Sequence, residues 1–220
     1  MISKPTPVSL DVQDIIKITA TLVGCIVLLY VLAYLSTFIF SKSEERSLAK
    51  KRLGGWTNLW LAFTAAIHIV FDGPYGLLRD TYFLKKGLDL YAMADYRYAQ
   101  PMEPGTIVIE VMTGIFTAPV IVLNLFAVVN NQWWRHPIQI VGHTMQYYGL
   151  VWYTMQPFYE KDECFSDDPL YFYGLAVLMN LPWVIFPPIM IYQSFGELKK
   201  IISGNKVNGV SSKNGKVKGE

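Results

Sequence analysis

The sequence predicts an all-α, polytopic membrane protein: a bundle of five transmembrane helices. Apolar residues make up 52% of the 220-residue chain and charged residues only 16%. The apolar residues are gathered into five blocks, roughly 15–38, 56–78, 106–128, 137–157 and 170–192. Each block approaches the ~20 residues needed to cross a ~30 Å hydrocarbon core. Together they leave no room for a separate soluble domain. The expected organisation is a short polar N-terminus (1–14), a five-helix membrane domain (15–195) and a basic tail (196–220).

Several function classes lose support at once. The net charge of +2 says nothing about nucleic acid, because the basic residues flank the apolar blocks. Of the two cysteines, Cys25 lies in an apolar block and Cys164 in a polar loop, so no disulfide framework is implied. Cys-x-x-Cys, His-Glu-x-x-His and Gly-rich phosphate loops are all missing, which counts against zinc hydrolases, nucleotide enzymes and dinucleotide oxidoreductases.

Block one is too long for a signal-peptide core and is followed by charge rather than a cleavage site. It reads as a retained, lipid-facing span. The loop after it holds Lys42, Arg46, Lys50, Lys51 and Arg52, and the tail is also lysine-rich. The positive-inside rule puts both in the cytoplasm, and with five spans this requires a lumenal N-terminus.

Block two contains His68 and Asp72, four residues apart and so on one helix face. Ionisable residues at bilayer depth are costly and point toward a partner or a cavity. The 79–104 connection clusters Tyr91, Asp95, Arg97 and Tyr98. It reads either as an interfacial aromatic belt with one ion pair or as a lid over a cavity. Block three carries Glu110 and, a turn later, Thr113, with Pro119 expected to kink the helix. Block four is the most polar. His143, Gln146, Tyr147 and Tyr148 should line a cavity or polar seam, and Gly149 should admit a close helix neighbour. Block five has Asn180 and Trp183 at mid-depth, with Pro182, Pro187 and Pro188 expected to bend or unwind it.

A dry pocket with an imidazole, two carboxyl groups and an indole has no obvious nucleophile but suits proton chemistry on an apolar substrate. A carboxylic acid can protonate a carbon–carbon double bond, and the resulting cation is steadied by the Trp face and a second carboxylate. A base then removes a different proton, and the double bond has moved. No redox cofactor and no metal is required.

At these residues the chain resembles the emopamil-binding protein family, the Δ8–Δ7 sterol isomerases of the endoplasmic reticulum. The matching elements are His68-x-x-x-Asp72-Gly73; Tyr91 with Asp95, Arg97 and Tyr98; Glu110 with Thr113; Gln146 with Tyr148 and Gly149; and Asn180 with Trp183. In this order they cover about residues 55–195. The resemblance implies a cavity that takes a sterol or other apolar polycycle and also cationic amphiphilic drugs, in a protein embedded in the lipid bilayer. A homodimer is compatible with it. Carried over, His68 with Asp72 is the proton donor, Glu110 the base or counter-ion, Trp183 the cation stabiliser, and Asn180 and Thr113 orienters. Tyr91, Asp95, Arg97, Tyr98, Gln146 and Tyr148 bind substrate. The family's Glu is Asp72 here, a methylene shorter, which suggests a divergent branch acting on a sterol-like or terpenoid polycycle, or a binder that has lost catalysis. The final Lys216-x-Lys218-x-x resembles a retrieval signal for the endoplasmic reticulum.

Overall fold

The computed structural model describes residues 4–5, 7–41, 45–78, 81–99, 102–160 and 164–214, with the side chains of 160 and 204–214 excepted. Lys216 and Lys218 lie outside the described residues, as does Lys42 among the topology signals.

The described residues are helical with one isolated bridge, Asp95 to Phe165, and no strand. Helix α1 is Val12–Phe40, opened by a capping box between Asp11 and Asp14. A short basic helix, α2 (Arg46–Leu53), follows. Helix α3 (Trp56–Leu78) changes winding midway, with α-helix to Ile67, a π-helical stretch His68–Asp72, then α-helix again from Gly73. The connection beyond it holds α4 (Lys85–Ala92) and a 3₁₀ turn, Tyr96–Tyr98. Helix α5 (Pro104–Val129) starts with Glu103 accepting from the Gly105 and Thr106 amides and has its own π stretch, Thr113–Thr117. Helix α6 is Arg135–Glu160. The last helix, α7, consists of Pro169–Tyr171, a π stretch Phe172–Val177, and Leu178–Asn214.

Among the described residues, four helices (α1, α3, α5 and α7 through Ser203) are long and apolar enough to cross a membrane. Helix α6 is not among them, although its 26 residues extend about 39 Å. Gln139, His143, Gln146 and Gln156 make it too polar, and all four are buried. Their polar groups turn inward to other helices, which is how so polar a helix sits in this bundle.

Helices α3 and α5 pack antiparallel, α6 packs along α5 and α7, and α1 lies across α3 and α5. Small residues set the closest contact. A Cβ built on Gly114 would stand 2.3 Å from Gly73 Cα, and one on Gly76 would meet Val111 Cγ2 at 2.8 Å. Backbone touches backbone there, with a π stretch on each helix at that level. Gly149, expected to admit a neighbour, has nothing nearer than Ile109 Cδ1 at 3.7 Å. At the far end, Ala62, Ala65 and Ala66 pack with Ile121, Leu125 and Leu29. Asn130 ties α1 to α5, donating to Ser36 Oγ (2.7 Å) and accepting from Ser41 Oγ (2.9 Å). Asn131 makes the turn into α6 at φ 51°, a left-handed conformation that Asn tolerates.

The helices continue through their prolines. Helix α7 is unbroken through Pro182, Pro187 and Pro188, and its winding changes upstream at Phe172–Val177. Pro119 likewise follows the α5 π stretch, whose shifted bonding accommodates its missing N–H.

Gly114→Ala should overpack the α3–α5 contact and destabilise the protein by about 1–3 kcal/mol, seen as a lower Tm in detergent. Gly149→Ala should leave Tm unchanged.

Candidate functional site

A cavity of about 440 Å³ lies between the helices, mostly apolar and walled by residues of α1, α3, α4, α5, α6 and α7. That volume falls in the range that takes a drug-sized ligand. Into it come His68 and Asp72 from α3, Glu110 and Thr113 from α5, Gln146 from α6, and Asn180 and Trp183 from α7. Tyr91 and Tyr98 reach it from the connection after α3, which forms one wall. Helix α1, expected only to face lipid, adds Ile18.

The polar groups form two networks. In the first, His68 Nδ1 meets Asp72 Oδ2 at 2.5 Å, and the Asp72 side chain is 22% exposed against 5% for His68. Both groups line the cavity, and the carboxyl is the more exposed of the two. On the other side of the ring, Gln146 Nε2 donates to His68 Nε2 (2.8 Å) and to Thr64 Oγ1 (2.7 Å). With the amide in this orientation its nitrogen donates and His68 Nε2 is the acceptor. Gln146 Oε1 is buried without a partner. A half-turn of the amide would let that oxygen accept from Thr64 and from a protonated His68 Nε2. One side chain thus fits both charge states of the ring.

In the second network Tyr98 donates its hydroxyl to Glu110 Oε1. Asn180 Nδ2 donates to Tyr91 Oη (2.8 Å) and to the Ala176 carbonyl (2.7 Å). Both amide hydrogens are thereby used, and the Asn180 oxygen remains as an acceptor. Tyr91 and Tyr153 hydroxyls are 3.2 Å apart, and Tyr153 donates to Asp95 Oδ2. Burial, with the nearby Asp95 charge, pushes the Tyr91 phenol well above its usual value, so it remains a donor at working pH. Thr113 gives its hydroxyl proton to the Ile109 carbonyl (2.8 Å), which leaves its oxygen lone pairs toward the cavity.

The indole of Trp183 stands 6.1 Å from the His68 ring and packs against Trp60 (5.8 Å) and Phe63 (6.3 Å). Its Nε1 is buried with no partner. Trp60 donates to His143 Nε2 (3.1 Å), whose Nδ1 is 2.8 Å from the Gln139 carbonyl. His143 therefore belongs to a polar seam between α3 and α6 rather than to the cavity.

Three expected substrate contacts are corrected. Asp95 and Arg97 are 0% and 1% exposed and line no part of the cavity. Arg97 Nη2 meets Asp95 Oδ2 at 2.7 Å, Nη1 donates to the Tyr153 carbonyl (2.8 Å), and the guanidinium lies 4.0 Å over the Tyr153 ring. Burial alone would pull Arg97 down, but its bonds to the Asp95 carboxylate outweigh this and hold it above its ordinary value. The pair clamps the connection onto α6 and so orients Tyr91 and Tyr98. Tyr148 is 68% exposed and points away from the cavity, as does Tyr147. The next turns of α6 bring Gln146, Gly149 and Tyr153 to the wall instead. Thr64 and Tyr153 escaped the sequence reading; spacing could have found Thr64, four residues before His68 on the same face.

The chain is similar to known proteins. The family model EBP, described as EXPERA (EXPanded EBP superfamily), matches residues 74–194, a segment that includes Glu110, Asn180 and Trp183 and begins just after Asp72. A 3-beta-hydroxysteroid-Delta(8),Delta(7)-isomerase of Rattus norvegicus is 30% identical over 166 residues, covering 70% of each chain. A probable enzyme of the same name from Oryza sativa subsp. japonica is 24% identical over 159 residues (69% of this chain, 71% of the relative). A protoglabretal synthase of Citrus sinensis is 27% identical over 150 residues (66% and 70%).

Arg97→Leu would leave Asp95 buried and uncompensated, a loss of about 3–5 kcal/mol. Thermal melting should show it as a large fall in Tm, whereas Tyr148→Phe should change neither Tm nor ligand binding.

Proposed function

The chain belongs to the EBP family (EXPERA, the expanded EBP superfamily), and from that membership and the cavity we propose that it is a membrane isomerase that shifts a carbon–carbon double bond in a sterol or sterol-like polycycle, Δ8 to Δ7. One observation carries the reading. An imidazole–carboxyl pair, a second carboxyl and an indole, held by three different helices, border the same apolar chamber.

The proposed reaction begins with a proton passing from the His68–Asp72 pair to one alkene carbon. The alkene's electron pair forms the new C–H bond, and the other carbon becomes cationic. Trp183 offers its π face and Glu110 its charge to that cation. Glu110, hydrogen-bonded to Tyr98, then takes a proton from the neighbouring carbon, and those C–H electrons become the shifted double bond. Substrate and product have the same atoms. The enzyme is left one proton short at His68–Asp72 and one long at Glu110, and exchange between them or with water resets it. The Gln146 amide follows the ring's charge by turning over. Asn180 and Thr113 orient the polycycle through their acceptor oxygens. The same carboxyls would pair with the ammonium of a cationic amphiphile, which should then compete with substrate.

Helix α6 completes five spans in this reading, in the endoplasmic reticulum membrane with the C-terminus cytoplasmic. A second reading, a terpenoid polycycle as substrate, is favoured by the Citrus sinensis relative's name and by Asp72 standing where the family pattern has Glu.

Purified protein given a Δ8-sterol in deuterated water should yield the Δ7 isomer carrying solvent deuterium. Sterol bound without turnover or deuterium uptake would reject that substrate, and activity gained by Asp72→Glu would favour a binder. Glu110→Gln should lower the rate by roughly 10²–10⁴-fold with Tm little changed. Trp183→Leu should cost ~2 kcal/mol of cation stabilisation, about thirtyfold in rate.

A further inference from the structure

The two ends of the bundle treat charge differently. At the end that carries α4, Lys4 pairs with Asp167 (3.0 Å), Lys85 with Asp89 (2.6 Å), Lys86 with Asp14 (2.7 Å) and Arg97 with Asp95 (2.7 Å). At the other end, Arg46, Lys50, Lys51, Arg52 and Arg135 have no carboxylate within 4.0 Å among the described residues. The acids described there are Glu45 and Glu197, and Glu197 is bound to Lys200 (2.6 Å).

These cations are also held in place. Arg52 Nε donates to the Val129 carbonyl (2.8 Å), which fixes its guanidinium at the α5–α6 corner, while its Nη2 is buried without a partner. Burial and the nearby Arg135 charge pull Arg52 down, with Glu45 opposing. Two guanidinium groups near each other with a donor unspent favour an anion. Arg46 lies 4.7 Å over the Phe38 ring, and its Nε is likewise buried and unpartnered. Beside it the end of α1 shows Ile39 (78% exposed) and Phe40 (61%), and Trp133 (84%) projects from the neighbouring turn. An apolar helix end, an exposed indole and unspent guanidinium donors meeting at one level suit an amphiphile with a negative head.

We propose that this basic end, built from α2 and the α5–α6 corner, binds the phosphate headgroups of anionic phospholipids, with their acyl chains along the exposed end of α1. A soluble phosphate would use the arginines but not the apolar surface beside them. The site is separate from the cavity and stands whether or not the isomerase reading does.

Native mass spectrometry of the full-length protein in detergent, titrated with phosphatidylserine or phosphatidylcholine, tests it. Phosphatidylserine adducts should predominate, and the preference should fall about fivefold for each charge removed. Arg52→Gln with Arg135→Gln probes the fixed pair. Lys50→Gln with Lys51→Gln, on exposed side chains, tests the same point if the first variant does not fold. Lys4→Gln, at the opposite end, should retain the preference. Equal adducts of the two lipids, or a preference that survives the Lys50/Lys51 change, would overturn the proposal. So would displacement of the lipid by inorganic phosphate at the same concentration, which would make this a site for a free anion.

Discussion

Two helices can approach no closer than the side chains between them allow, and between α3 and α5 at one level there are none. Gly73 and Gly114 put backbone on backbone, at a separation no Cβ would permit. Gly73 follows directly on the π-helical stretch His68–Asp72 of α3, and Gly114 lies within the stretch Thr113–Thr117 of α5. Wider turns of this kind redirect side chains relative to the rest of a helix and recur at functional sites. Here the α3 stretch begins at His68 and ends at Asp72, and the α5 stretch begins a turn beyond Glu110. The close contact therefore brings two acids and an imidazole to one wall, and the remaining helices build the chamber against it.

Within that frame the buried polar groups divide by whether their bonds are spent. Asp95, Arg97 and Tyr153 satisfy one another, and the result is a clamp. Trp60, His143 and Gln139 form a closed seam in the same way. At the cavity the bonding is deliberately incomplete in the chemical sense: Asn180 and Thr113 have used their donors and keep acceptor oxygens, and Trp183 and Gln146 each retain a buried atom with no partner. Unspent capacity of that kind is expensive in an apolar interior. It makes sense where a ligand or a moving proton is part of the structure, and the proposed isomerisation uses each of these groups.

The cavity wall also shows how remote residues serve the site. Asp95 and Arg97 do not line the cavity, yet they hold the connection on which Tyr91 and Tyr98 stand, and Tyr98 in turn fixes Glu110. Motif residues of this sort look functional in a sequence because they are polar and lie near the right helices. Their contribution is to the position of others.

Block length and apolarity determined the helical membrane architecture from the sequence alone, because a hydrocarbon layer admits little else at that length. Spacing determined that His68 and Asp72 share a face, and the ordered motifs identified Glu110, Asn180 and Trp183 as companions. Helical periodicity could not say that Gly114 rather than Gly149 makes the close contact, that Tyr148 turns outward, or that winding changes before the prolines instead of at them. The density of polar groups on α6 did indicate that they turn inward, but not which neighbours they meet. Those outcomes depend on which face of each helix meets which partner. That choice is made by packing among residues far apart in the chain, and only the tertiary structure contains it.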